Sequence, residues 1–169
     1  MAVPESDHSP LHTQAEDPSP ERRKFEGWRS LLVYAGILAL FYFGHVEIQT
    51  FLGERALAKV ELDMPSLAVA LKQARQEGKP VLLDVSAIWC PSCRRLDSTV
   101  LSNPEVKQAI EHRYVFSRVE YESLEGEAVQ QRYGVRGFPT LLVLNGNGEL
   151  IRTLPPSYDP DTFIKLIAH

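Results

Sequence analysis

Apolar and polar positions divide the 169-residue chain into three stretches. In residues 1–21, Pro4, Pro10, Pro18 and Pro20 sit among Ser, Asp and Glu, with no Lys or Arg. Such a stretch buries too little apolar surface to offset its ordering entropy, which predicts a disordered tail. His8 and His12 within it read as solvated residues rather than metal ligands. Residues 22–52 reverse the pattern. Arg22, Arg23, Lys24 and Arg29 precede a run from Ser30 to Gly44 that carries no charge. Its apolar side chains, among them Leu31, Leu32, Val33, Ile37, Leu38, Leu40, Phe41 and Phe43, fall on all sides of a helix. A helix that is apolar all round is buried in protein or in lipid.

Counted from Ser30 to Val46, this run lies at the short end of the ~17–25 residues that cross a bilayer. Trp28 and Tyr42 suit the two interfaces, and Glu47 and Gln49 mark the exit. A buried helix of the globular domain is the alternative, but the downstream segment looks complete without it. Lys and Arg residues cluster before the span, against Arg55 and Lys59 after it. That bias puts the N-terminus in the cytoplasm and the larger domain outside. Ala56-Leu57-Ala58 has the form of a signal-peptide cleavage site but lies far beyond the apolar run. The expectation is an uncleaved, single-pass anchor in the cytoplasmic membrane, with residues 53–59 as a linker.

Residues 60–169 alternate between the periods of strands and helices. Ser66 is placed to cap a helix through Leu67, Leu71 and Ala74, with Gly78 beyond its end. Val81-Leu82-Leu83-Asp84-Val85 suits a central strand. A helix should start at the cysteines, and Asn103-Pro104 should open another, with Val106 and Ile110 on one face. Tyr114 to Val119 reads as a strand and Leu124 to Tyr133 as a helix ended by Gly134. Thr140 to Leu144 and Glu149 to Thr153 read as a hairpin across Asn145-Gly146-Asn147-Gly148. Asp159-Pro160 opens a last helix. A parallel crossover first and a hairpin last imply an α/β fold: a mixed sheet with helices on both faces, preceded by one transmembrane helix.

Composition changes this picture little. The chain is 44% hydrophobic and 24% charged, as foldable proteins are. A net charge of −4 gives no sign of nucleic-acid binding. The two cysteines change it more. Only two residues separate Cys90 from Cys93, so a bond between them would close a very small loop and stabilise the fold little. Trp89-Cys90-Pro91-Ser92-Cys93 directly follows a predicted strand. A Cys-x-x-Cys pair at a helix start places the first sulfur by unpaired backbone N–H groups, which favour the attacking thiolate. Cys90 is therefore the expected nucleophile and Cys93 the resolving thiol. Zinc sites use the same spacing but need further ligands, and His45, His112 and His169 show no ligand spacing with the pair. Two buried, inert cysteines are the other structural alternative.

With these features the chain resembles the thioredoxin superfamily over residues 60–169. Gly134-Val135-Arg136-Gly137-Phe138-Pro139-Thr140 is similar to the family's second signature. The resemblance implies that Pro139 is cis and faces the dithiol. It also implies that a substrate chain pairs along the backbone at Phe138, beside Trp89. Asp84, six residues before Cys90, matches the family's buried carboxylate, whose implied role is proton exchange with Cys93. Arg118 stands where thioredoxins often place a lysine partner; an arginine there should depress the Asp84 pKa and weaken it as a base.

Within the superfamily, Gly78-Lys79-Pro80-Val81-Leu82-Leu83-Asp84 and Val100-Leu101-Ser102-Asn103-Pro104-Glu105-Val106 resemble the C-terminal domain of the disulfide reductase DsbD and its single-domain relatives. No proline bends the helix after Cys93, as one does in ordinary thioredoxins. The Pro-Ser dipeptide, Ile88 before the tryptophan, and Pro155-Pro156 depart from the usual thioredoxin pattern and leave redox direction open.

The resemblance implies a membrane-anchored thiol–disulfide oxidoreductase facing the periplasm or an equivalent space. Reduction of extracytoplasmic protein disulfides is the favoured direction, with electrons from a separate membrane donor. An oxidant or isomerase of the same fold is the second reading. A non-catalytic binding or chaperone module is the third, though it has no need of both cysteines. A metallochaperone would want Met, His or further Cys beside the dithiol. No phosphate loop or haem or flavin motif is present, so the expected redox group is the Cys90–Cys93 pair itself, with no cofactor and no metal.

Overall fold

A computed structural model describes the backbone of residues 20–168 and the side chains of residues 28–168. The expected disordered tail with His8 and His12 and the side chains of Arg22, Arg23 and Lys24 lie outside the described residues. The chain divides into two compact units, residues 1–42 and 43–169. Helix α1 (Pro20–Leu57) begins in the first and continues into the second, and its large apolar side chains from Trp28 to Phe43 are exposed. Leu38, Leu40 and Phe41 are each at least 70% exposed. By length and composition Trp28–Leu57 can cross a membrane.

The helix does not end near Val46, and most of the expected linker at 53–59 is helical. Nothing between Val46 and Leu57 breaks a helix except Gly53, and Gly53 and Ala56 are buried. A Cβ at Gly53 would sit 1.8 Å from the Ile88 carbonyl oxygen, so only glycine permits this contact.

The second unit is built on a four-stranded mixed sheet of order β2-β1-β3-β4. β1 (Val81–Ser86) runs parallel to β2 (Val115–Glu120) and antiparallel to β3 (Thr140–Leu144), which carries β4 (Leu150–Leu154). Every side chain of β1 is buried, since helices cover both faces. Leu82 packs with Leu96, Val100, Ile110 and Phe163, from the side of α3 (Pro91–Leu96), α4 (Pro104–Arg113) and α6 (Pro160–Ile167). Val81, Leu83 and Val85 pack with Ala70, Ala74 and Val129 of α2 (Leu67–Glu77) and α5 (Leu124–Tyr133). Because strand side chains alternate between faces, Asp84 points to the same side as Leu82. The parallel register pairs Asp84 with Arg118, which puts both on the face that α3 covers.

Helix boundaries follow the capping chemistry with one exception. The Asn103 side-chain oxygen accepts from the N–H groups of Glu105 and Val106, at 2.8 and 3.3 Å. Asp159 caps α6 through Thr162, and Gly78 and Gly134 close α2 and α5 in the left-handed conformation. Ser66 occupies the cap position of α2 but makes no capping bond. The Leu67 N–H donates instead to Glu125 Oε1 at 3.0 Å, a partner far along the chain. Asn103→Ala is therefore expected to cost about 1 kcal/mol, whereas Ser66→Ala should leave stability nearly unchanged. Denaturant midpoints of the two variants check the contrast.

Candidate active site

The site grows from the junction of β1 and α3. After Ser86 the chain turns, with the Cys90 N–H donating to the Ala87 carbonyl at 3.0 Å. Ile88 N–H donates to Glu120 Oε1 at 2.8 Å, and Trp89 Nε1 to Glu122 Oε2 at 3.2 Å. Both acidic partners come from the end of β2 and the loop beyond it. Cys90 then caps α3, and Pro91 takes the first helical position, where a missing N–H costs no bond. The Cys90 sulfur accepts from the Cys93 N–H at 3.2 Å and lies 2.9 Å from Ser92 Oγ.

Both cysteines are free thiols and both are buried, Cys90 at 3% exposure and Cys93 at 1%. Burial pushes the Cys93 thiol up to about 12, and its hydrogen bond with Cys90 adds to the rise. At neutral pH Cys93 therefore waits as a protonated thiol behind Cys90. A thiol needs a base to attack, and Asp84 is close enough to act electrostatically on Cys93.

Asp84 is fully buried. Ser86 Oγ donates to its Oδ1 at 2.6 Å, and Arg118 Nη1 lies 3.3 Å from its Oδ2. Arg118 does lower the Asp84 pKa, but the expected net depression is overturned. Desolvation outweighs the guanidinium and raises the carboxyl to about 6. Arg118 is also shared between two carboxylates. Its Nη1 donates to Asp97 Oδ1 at 2.7 Å, leaving Asp84 Oδ2 without a hydrogen bond among the described residues. Burial also raises Asp97. Sequence reasoning missed Asp97, although its spacing four residues after Cys93 places the two on one helical face.

Asp84 thus carries a stability cost. Its folded pKa of about 6 lies above the ordinary 3.8, so the folded state holds the proton more tightly. Stability falls as pH rises from about 4 to about 6, and the cost stays in full above that window. Asp84→Asn is expected to stabilise the fold by up to about 3 kcal/mol at neutral pH. The gain should vanish below about pH 4, while turnover should fall if Asp84 takes the proton of Cys93. Denaturation midpoints across this range, beside activity, check both signs.

An aromatic wall closes the outer side. The Phe138-Pro139 bond is cis, as the resemblance implies, and Pro139 is half-buried at the start of β3. The Phe138 ring meets Trp89 edge-on at 5.3 Å and Tyr121 at 4.7 Å, and all three pack against the dithiol. Phe138 and Trp89 are thus beside the cysteines, and Asp84 is beneath them on β1. Tyr121, directly after β2, carries no sequence signal for this place. Among the described residues no group of three His, Cys, Asp or Glu is placed to hold a metal.

Residues 67–169 match the family described as Thioredoxin-like domain. The chain is 32% identical over 123 residues to the thiol:disulfide interchange protein DsbD of Yersinia enterocolitica, covering 72% of this chain and 21% of that one. DsbD of Neisseria meningitidis is 33% identical over 110 residues, with 63% and 18% covered. The chain thus spans about a fifth of the length of these relatives. In structure, the oxidised C-terminal domain of Neisseria meningitidis DsbD superposes with a TM-score of 0.51 at 31% identity, over 61% of this chain and 95% of that domain. A thioredoxin from Thermus thermophilus gives 0.57 at 29% identity, over 63% and 84%. A match that runs through every element from α2 onward makes this chain a member of the thioredoxin-like family, with the fold of a thiol–disulfide oxidoreductase.

Proposed function

We propose that this chain is a membrane-anchored protein-disulfide reductase whose dithiol works outside the cytoplasmic membrane. The observation that carries the chemistry is the placement of the pair: Cys90 at the helix start, with the buried Cys93 behind it and Asp84 on the adjoining strand. The Cys90 thiolate attacks one sulfur of a substrate disulfide, forming a mixed disulfide and releasing one substrate thiolate. Cys93 then gives its proton to Asp84 and attacks the Cys90 sulfur. The second substrate thiol leaves, and Cys90 and Cys93 are joined. Two electrons pass from the dithiol to the substrate, whose released thiolates take up one proton from Cys93 by way of Asp84 and one from water. A dithiol donor in the membrane restores the reduced pair, so no separate cofactor enters.

The likeness to DsbD supports reduction, the uncovered apolar helix supports anchoring, and the distribution of Lys and Arg supports an outward-facing domain. Protein substrates fit the aromatic wall of Trp89, Tyr121 and Phe138, which offers stacking surface beside the sulfurs. Intact cells treated with a small, charged, membrane-impermeant thiol reagent test location and direction together. Labelling of Cys90 without lysis is expected. Labelling only after lysis would reverse the orientation. Labelling only after prior chemical reduction would show a resident disulfide, and so an oxidant.

A further inference from the structure

The face of α1 that continues past the apolar run changes character within two turns. Ile48, Phe51, Leu52 and Arg55 share one helical stripe, apolar first and cationic after, and Lys59 follows in the turn beyond the helix end. Ile48 and Phe51 are exposed, and the Arg55 guanidinium folds back over the Phe51 ring at 4.6 Å. On a neighbouring face Gly53 and Ala56 pack inward, and Gln49 Oε1 accepts from Arg94 Nη1 at 2.6 Å. Between this turn of α1 and the active-site helix lies an open cleft of about 420 Å³. Arg55, Lys59, Arg94 and Arg95 line it, and no carboxylate does. Among the described residues none of the four forms an ion pair; the three arginines are held by neutral partners, Phe51, Gln49 and Tyr158. Four cations converging on an uncompensated cleft call for an anion.

We propose that this cleft binds the phosphate headgroup of an anionic phospholipid at the membrane surface where α1 emerges. The proposal rests on the anchoring reading above. The apolar run ends before Glu47, and Arg55 follows about two turns later on the same helix, about 12 Å at 1.5 Å per residue. The backward fold of Arg55 over Phe51 points the same way, since long basic side chains lie along apolar surface and carry their charge to the interface. An acidic segment of a partner protein would need neither the apolar stripe before the cations nor that direction. Because Arg94 and Arg95 follow Cys93 directly, a headgroup held here ties the active-site helix to the bilayer surface.

The test uses the full chain in nanodiscs made from equal parts phosphatidylcholine and phosphatidylglycerol. Lipids still bound after transfer to detergent are counted by native mass spectrometry. Several-fold enrichment of phosphatidylglycerol is expected for the wild type, and none for a variant combining R55Q, K59Q and R95Q. Arg94 is kept because it bonds Gln49, and circular dichroism confirms that the variant is folded. No enrichment in the wild type, or equal enrichment in the variant, overturns the proposal. So does unchanged lipid binding with slower reduction of an acidic peptide disulfide, which would assign the cleft to a protein segment. Release of the chain from cell membranes by alkaline carbonate would instead defeat the anchoring reading. A chain that resists carbonate but shows no lipid preference defeats the headgroup site alone.

Discussion

Cys90→Ser is expected to bring disulfide reduction down to the uncatalysed rate, whereas Cys93→Ser should complete the first half of the reaction and stop. The asymmetry follows from the positions of the two sulfurs. Cys90 caps α3 and packs against the Trp89 and Phe138 rings, where the proposed function brings a substrate disulfide. A serine hydroxyl there has no useful nucleophilicity toward sulfur, so nothing replaces the attack. Cys93 lies deeper, with its thiol pushed up to about 12 by burial, and in the proposed reaction it acts only once Cys90 is bonded to substrate. Without it the mixed disulfide has no internal route forward and should accumulate. Mass spectrometry after mixing each variant with a disulfide peptide distinguishes them. A peptide-sized mass increase is expected for Cys93→Ser and none for Cys90→Ser. An adduct on Cys93 in the Cys90→Ser variant would reverse the roles.

Arg118→Leu is expected to be the most destabilising change at the site, by about 3–5 kcal/mol at neutral pH, as for the loss of one partner from a buried ion cluster. Arg118 serves two buried carboxylates, Asp84 at 3.3 Å and Asp97 at 2.7 Å. Desolvation already raises both carboxyls, and the guanidinium is the main influence that lowers them. Removing it raises both further. The folded state then holds two protons that the unfolded chain releases at lower pH, so the lost stability grows as pH rises and shrinks in acid. Unfolding midpoints measured below and above about pH 6 should therefore diverge between variant and wild type as pH increases. A loss that does not vary with pH would mean that Arg118 contributes packing rather than charge. Arg118→Lys keeps the charge but not the forked geometry, and should recover part of the difference.

Most of the fold was legible because local chemistry and global position agree. Asn103-Pro104, Gly134 and Asp159-Pro160 each mark a helix boundary by capping, and the structure puts the boundaries there. The apolar run of β1 read as a central strand because helices cover both its faces. The dithiol was legible because two cysteines at this spacing after a strand have few other uses. What escaped the sequence depends on contacts between distant segments. Glu125 reaches across to cap α2, so the local signal at Ser66 misled. Asp97 joined the site because the helix that starts at the cysteines carries it to Arg118, passing there into a wider π turn, Asp97–Leu101. The effect of Arg118 on Asp84 was read from charge alone, and burial reversed the net outcome. The packing of Gly53 against Ile88, which carries α1 past its expected end, has no local signature either.

The most direct measurement is the equilibrium reduction potential of the Cys90–Cys93 pair in the full chain, titrated against glutathione buffers and read by alkylation. The account predicts a value near the thioredoxin end of the scale, about −270 mV. A value near that of the oxidant DsbA, about −120 mV, would contradict the reductase assignment, and failure of the two thiols to form a disulfide at all would contradict the redox role itself.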